Sequence, residues 1–326
     1  MQITTLCDIV NGELLNSPSI SFITQTHTNI SKVNEGDLFI SNDLNDIKEA
    51  IQKGAFAIIF SENYDIKLLD QEIAWIKVDN LKEVLFKILR FQLSHIEIKS
   101  YASDDTFFEF SQKLLTYKRK IKFLTNDIFV DFENIKNIEN INFLFSSDYE
   151  YLSKIQPLCE KIQIKQFDVT NLTIHSLFKT SFSYSGYMFK QVELSYLYIN
   201  HFLTLLELVL SNKEFETTID MHGFRNIEIF TPIFIDSYFD IVDFGKSNKL
   251  IISSNLENLY DQEIEFINQY YKFGKVSIIN KFNNDQDLLD QIKRSNTNII
   301  YVCGKSKVEV ETLLKGAKKE DKGLFA

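Results

Sequence analysis

Residues 96–115, IEIKSYASDDTFFEFSQKLL, decide how this chain is read. Ile96 and Ile98 alternate with charged residues, the period of a half-buried strand. Phe107, Phe110 and Leu114 then recur at helical spacing. The polar segment between them, residues 100–106, reads as a short turn. Strand, turn and helix in that order is the layout on which α/β proteins hold phosphates, using glycine amides and the helix N-terminus. Here the turn has no glycine and no lysine, and it carries Asp104 and Asp105. Two acids at that point suit a helix start, where negative charge is favoured by about 0.3–1 kcal/mol. With Thr106 they also offer oxygens to a divalent cation. The capping reading is the simpler one.

The rest of the composition sets limits. At 326 residues the chain is long enough for two or three domains with their own cores. It is 44% hydrophobic and 25% charged, which reads as soluble and globular. A net charge of -10 argues against generic binding to nucleic acid or to an anionic membrane. Lys118, Arg119, Lys120 and Lys122 form one basic cluster, read as a solvated loop. Cys7, Cys159 and Cys303 are far apart and show no C-x-x-C spacing, so neither a disulfide framework nor a zinc site is expected. Asp8 and Glu13 interrupt any leading apolar run, so no signal peptide is expected. The longest apolar segment, residues 196–210, contains Asn200, His201 and Glu207 and falls short of the ~20 apolar residues of a membrane span. A cytoplasmic location is the default. Glycine is 10 of 326 residues, roughly 3% against a usual ~7%.

Upstream of the opening stretch, residues 1–94 read as a compact α/β unit. Short strands are predicted over 20–24 and 37–41, and buried strands over 55–60 and 73–78. Asn45 or Asp46 caps a helix that stops at Gly54. Asp79 caps another, with Leu81, Val84, Leu85, Ile88 and Leu89 on one face. Downstream, strands are predicted over 121–125, 128–132, 141–146 and 161–167, and a helix from Asp148 towards Pro157. Residues 181–186, SFSYSG, read as the edge of a β-hairpin. Residues 198–210 form a largely buried helix on which Asn200, Thr204 and Glu207 share a face. From residue 229 strands alternate with helices, which predicts a doubly wound parallel sheet. The predicted helices there are 260–273, 286–294 and 306–315. Val302, Cys303, Gly304 and Lys305 end a strand and begin a helix, a place where an anion can bind. The tail, 315–322, is read as frayed.

Three short motifs carry a resemblance. SKVNEGDLF at 31–39, EAIQKGAFAIIF at 49–60 and IKVDNLKEVLFKI at 76–88 resemble the N-terminal domain of the Mur ligases, closest to the MurE and MurF types. YINHFLTLLELVL at 198–210 is similar to the family helix H-N-x-x-N-x-x-A-A. IDSYFDIVDF at 235–244 is similar to the family segment D-D-x-Y-N-A-N-P-D-S, with Asp236, Tyr238 and Asp243 matching. The resemblance implies a three-domain α/β protein. Residues 1–94 would be a small N-terminal domain, 95–228 a reduced central domain, and 229–326 a Rossmann-like C-terminal domain.

It also implies where function would lie, and there the chain departs. The family's D-S-R, which helps bind the uridine diphosphate end, falls on Asn29, Ile30 and Ser31. The ATP loop T-G-T-N-G-K-T/S falls on residues 100–106, so that Ser103, Asp104, Asp105 and Thr106 occupy its last four positions. Only Thr106 survives. Lysine replaced by aspartate turns attraction for polyphosphate into repulsion. Unit charges ~4 Å apart interact by about 4 kcal/mol at an effective dielectric near 20. The third-domain contacts Asn, Asn and Pro become Phe239, Ile241 and Val242. The family's magnesium-binding glutamate and histidine and its modified lysine find no match, and His175 is the only histidine in that neighbourhood. Asn200 and His201 are read as structural.

With the framework kept and three ligand motifs altered, the resemblance implies a non-catalytic relative. No catalytic residue, cofactor or metal is assigned. Such a protein would bind or scaffold other proteins of cell-wall synthesis or the cytoskeleton, or pair with itself as a homodimer, through inherited surfaces. Nucleic-acid binding and membrane insertion are not expected. The alternative is a divergent ATP-dependent ligase acting on a UDP-linked cell-wall precursor.

Overall fold

The computed structural model describes residues 1–64, 70–116, 120–136, 141–212, 215, 218–243, 245–272 and 274–323, with side chains to 316. Lys118 and Arg119 of the basic cluster, Phe244 and the helix end expected at Phe273 lie outside the described residues. Two compact units are present. The first comprises Met1–Asp104 and Lys118–Ile162, the second Asp105–Tyr117 and Gln163–Ala326. Among the described residues no helix is long and apolar enough to cross a membrane.

The first unit opens with α1 (Ile3–Val10), β1 (Glu13–Leu14), β2 (Thr26–His27), β3 (Leu38–Ile40), α2 (Leu44–Gln52), β4 (Ala57–Phe60), β5 (Ala74–Lys77) and α3 (Leu81–Leu93). The strands form a sheet in the order β1-β5-β4-β3-β2. Only the β1–β5 pair is antiparallel. Residues 20–24 are not a strand: Phe22 makes one isolated bridge to Gln2 and is exposed. The caps also differ by a residue or more from expectation. Asp43 closes α2 by accepting from the Asn45 and Asp46 amides, and Asn80 closes α3 by accepting from Lys82 and Glu83. An Ncap side chain must precede the first turn to reach its free amides. Asn45 and Asp46 are already inside that turn, and Asp79 lies one residue too early. The predicted face of α3 holds: Leu81, Val84, Leu85, Ile88 and Leu89 are all buried.

The same unit carries a second sheet. After β6 (Lys99–Ala102) the chain leaves for α4 (Asp105–Leu114) in the other unit. It returns through β7 (Ile121–Phe123), α5 (Ile128–Ile135), β8 (Phe143–Ser146), α6 (Tyr149–Ile155) and β9 (Glu160–Lys161). This sheet is parallel, in the order β7-β8-β6-β9. Residues 128–132, predicted as a strand, are helical. Asp127 caps the Phe129 amide, and Ile128, Phe132 and Ile135 bury one face. Residues 162–167 do not extend β9.

The second unit holds α4 and then a three-stranded antiparallel sheet of β10 (Thr170–Ser176), β11 (Lys179–Tyr184) and β12 (Tyr187–Val192). Ser185 and Gly186, both at positive φ, make the hairpin turn that residues 181–186 predicted. Next come α7 (Ile199–Ser211), β13 (Pro232–Ile235), β14 (Lys249–Ser254), α8 (Tyr260–Tyr270), β15 (Val276–Ile279), α9 (Asp285–Arg294), β16 (Ile299–Cys303) and α10 (Lys307–Gly323). The last sheet runs β13-β14-β16-β15, with β14, β16 and β15 parallel and β13 an antiparallel edge. Helix α10 continues past Lys315, where the sequence predicted an end.

Asp131 shows how the β7–α5 corner is held. It is 1% exposed. Its carboxylate accepts from the amide and hydroxyl of Thr125, the Asn126 amide and the Tyr151 hydroxyl at 2.7–3.1 Å. Asn126 sits at φ 63, so the turn is strained without these bonds. Removing the acceptor leaves several donors unsatisfied. Asp131→Ala is expected to lower the unfolding free energy of this unit by about 3 kcal/mol. Urea denaturation followed by the fluorescence of Trp75, buried in the same unit, measures it. A loss of only a few tenths would refute the assignment.

Candidate functional site

The turn that opened the reading is shorter than its sequence suggests. Ser100, Tyr101 and Ala102 are not loop residues; they pair in register with Leu144, Phe145 and Ser146 of β8. The Ser103 amide adds one more bond to Ser146 O at 3.1 Å. Asp105 is already the first residue of α4. The connection is therefore Ser103 and Asp104 alone. Ser103 is buried, while Asp104 and Asp105 are exposed. Thr106 is buried in the first turn of the helix.

A second location is a cleft of about 530 Å³ at the carboxyl ends of β14, β15 and β16. Its walls are polar, from Asn280, Lys281, Asn283, Asp287 and Gln291, with Tyr260 and Cys303 at the base. Strand order reverses here, from β14 out to β15 and back to β16, and such points are where open α/β sheets bind ligands. Cys303 is not a nucleophile at neutral pH: burial, then Glu263 and Asp261, push its thiol up to about 11. The anion site suggested by Gly304 and Lys305 is closed. Lys305 pairs with Asp285 at 3.0 Å and Glu309 at 3.3 Å. Ser306 and Glu309 form a reciprocal capping box over the start of α10.

A strongly perturbed carboxyl group lies elsewhere, inside the first unit. Glu133 on α5 accepts from the Thr28 amide at 2.7 Å and pairs with Lys136 at 3.0 Å and Lys32 at 3.1 Å. Burial opposes its charge, but the Thr28 amide and the two lysines prevail and hold the carboxyl at about 2. Lys136 also reaches His27 Nδ1 at 2.5 Å and Thr26 O at 2.7 Å. Lysine has only donors, so Nδ1 is the acceptor and the other ring nitrogen carries the proton. That nitrogen faces Asp37 Oδ2 at 3.4 Å. Burial, then Lys136, lowers the affinity of His27 for a second proton. Asp37 in turn accepts from the Thr24 hydroxyl and the Gln25 and Asn34 amides. The group holds β2 and the turn before β3 to α5. No local sequence signal could have found it, because Thr28 and Glu133 are 105 positions apart.

No protein-family model matches the chain, and no curated protein sequence matches it. Solved structures do. MurF ligase from Thermotoga maritima, in complex with ADP, aligns over 91% of this chain and 98% of its own at 12% identity, with a TM-score of 0.56. MurF from Acinetobacter baumannii aligns over 97% and 98% at 11% identity, with a TM-score of 0.58. The fold is that of the Mur ligases. The mixed α/β elements match the three-domain architecture of these enzymes across nearly the whole chain.

Within that Mur-ligase fold, the sequence-predicted positions sit in ordinary structural roles. Asn29 caps a 3-10 turn by accepting from the amide and hydroxyl of Ser31. Asn200 Oδ1 accepts from the Phe167 amide, Thr204 Oγ from the Lys165 amide, and Glu207 from the Tyr184 hydroxyl. The shared face of α7 therefore clamps the incoming irregular segment and the hairpin. His201 packs beside Phe110 and Tyr198. His175 bonds the Ser181 hydroxyl across the hairpin, exposed. Asp236 closes its own turn by accepting from the Tyr238 and Asp240 amides, and Tyr238 is 84% exposed. None of these residues meets the polar cleft.

Sequence reading also missed Glu263. This residue of α8 is 1% exposed and accepts from the hydroxyls of Tyr198 and Tyr301. Burial raises its carboxyl above the ordinary value of 4.5, against the bonds from Tyr198, Tyr301 and Ser254. As pH rises past that ordinary value, the unfolded chain loses the proton while the folded chain keeps it. Stability therefore falls until the folded-state value is passed. Glu263→Gln is expected to flatten the fall in unfolding temperature as pH rises above the ordinary carboxylate range. Calorimetric scans of both proteins at rising pH test it; parallel curves would contradict a raised Glu263.

Proposed function

We propose that this chain is a non-catalytic protein of Mur-ligase fold that binds or scaffolds components of peptidoglycan synthesis or cell-shape machinery in the cytoplasm. The observation that carries the reading is the two-residue connection between β6 and α4. A phosphate loop of the G-x-x-x-x-G-K-T/S type needs several glycine-rich residues there, whose amides wrap the phosphates, and a lysine to meet their charge. Three of the positions that would form such a loop are instead spent on the β6–β8 ladder. The two that follow Ser103 are exposed acids.

Asn29–Ser31 and Asp236–Tyr238 support the same reading, because each is closed on its own backbone turn. The ligand positions of the fold have become caps and turns, while the framework persists. The competing reading, a divergent ligase on a UDP-linked precursor, draws its support from the polar cleft at the strand ends of the last sheet.

Calorimetric titration separates the two. Magnesium–ATP and a UDP-muramyl peptide are expected to give no saturable heat with the full chain. Micromolar ATP binding accompanied by phosphate release would overturn the non-catalytic reading. Affinity capture with mass spectrometry then tests the partner class, and recovery of no cell-wall or cytoskeletal protein would remove the scaffolding half.

A further inference from the structure

The second unit contains a cavity of about 410 Å³ that belongs to neither the β6–α4 connection nor the polar cleft. Small-molecule sites are concave, mostly apolar, of ~300–1,000 Å³, with a few convergent polar groups. This cavity meets each part of that description. Its floor is the edge strand β13 and the segment that folds back on it, including Phe234, Ile241 and Val242. The Val242 amide bonds Phe234 O at 2.9 Å, and Pro232 has no amide to offer. The edge is thus closed against strand addition, which leaves its side chains, not its backbone, to meet a partner.

The walls are braced from behind. Phe224 is buried and packs edge-on against Phe202 and Phe110, at 5.2 and 6.3 Å between ring centroids. Phe178 on the opposite side packs on Phe230 at 5.7 Å. Rings held this way keep the cavity open without rearrangement on binding.

Charge at the rim sets the class of ligand. Lys179, Arg225 and Lys307 stand there against Glu193 and Glu311. The rim is therefore positive in a chain whose net charge is -10. Arg225 meets Glu193 through Nε at 3.1 Å, an edge of the guanidinium that leaves its terminal nitrogens for another acceptor. Lys307 pairs with none of the described carboxylates within salt-bridge distance. We propose that this cavity binds an organic anion with a flat apolar body, of the aryl carboxylate or aryl sulfonate type. The body would lie between the Phe178 and Phe224 walls and the anionic group would meet Arg225 and Lys307.

Anilinonaphthalene sulfonate is the probe, titrated calorimetrically into the full chain at neutral pH. One saturable site is expected. Lys307→Glu reverses a rim charge at a half-buried position in the first turn of α10 and is expected to weaken binding about tenfold. Ile241→Trp fills the mouth and is expected to abolish it. Circular dichroism of both variants checks that they fold. Absence of a saturable site, or unchanged affinity in both folded variants, overturns the proposal. Displacement of the probe by ATP also overturns it, by making the cavity a nucleotide site; ATP binding that leaves the probe in place would count only against the non-catalytic reading.

Discussion

The carboxylate of Glu133 ties together the parts of the first unit that the chain itself keeps apart. It takes the Thr28 amide from the first sheet and two lysines, Lys32 and Lys136, one from each side. Lys136 then engages His27, and His27 faces Asp37. All but Lys32 are nearly or fully buried. In such a cluster the costly event is the loss of one partner, because the remaining charge is stranded away from water. The arrangement is therefore all or nothing. It fixes β2 and the Gly36–Asp37 turn relative to α5.

Residues of the resembling motifs each have a structural role of their own. Asp37 is kept because three donors and a histidine converge on it. Gly36 and Gly54 are kept because both sit at positive φ with side chains close by. Asn200 is kept because it holds an incoming backbone amide. Each is explained by folding alone. The resemblance to the Mur ligases was legible in the sequence through these framework positions, and they carry no information about turnover.

What the sequence hid was mostly long-range. The apolar face of α3 and the alternation of strands and helices after residue 229 could be read directly, since both are local periodicities. The segment I-F-V-D-F at 128–132 was misread because five residues of apolar character fit a strand as well as a helix. Asp127 before it and Ile135 after it settle the matter, and both lie outside that window. His27, Glu133 and Glu263 gave no local signal, because most of their partners are distant in sequence. The turn at 103–104 was misjudged in length because Ser100 and Tyr101 look like loop residues. They are strand residues whose backbone is committed to β8.

Four helix starts of this protein share one property. Asp127 closes α5 after β7, Asp148 closes α6 after β8, Asn284 closes α9 after β15, and Ser306 with Glu309 closes α10 after β16. Each follows a parallel strand, the location where α/β proteins leave amides open to phosphates. A side-chain cap satisfies those amides internally, and an acidic one adds repulsion to the loss of donors. At these four helix starts a first-turn amide is therefore already held by the protein's own side chain, and the connection from β6 to α4 is only two residues long.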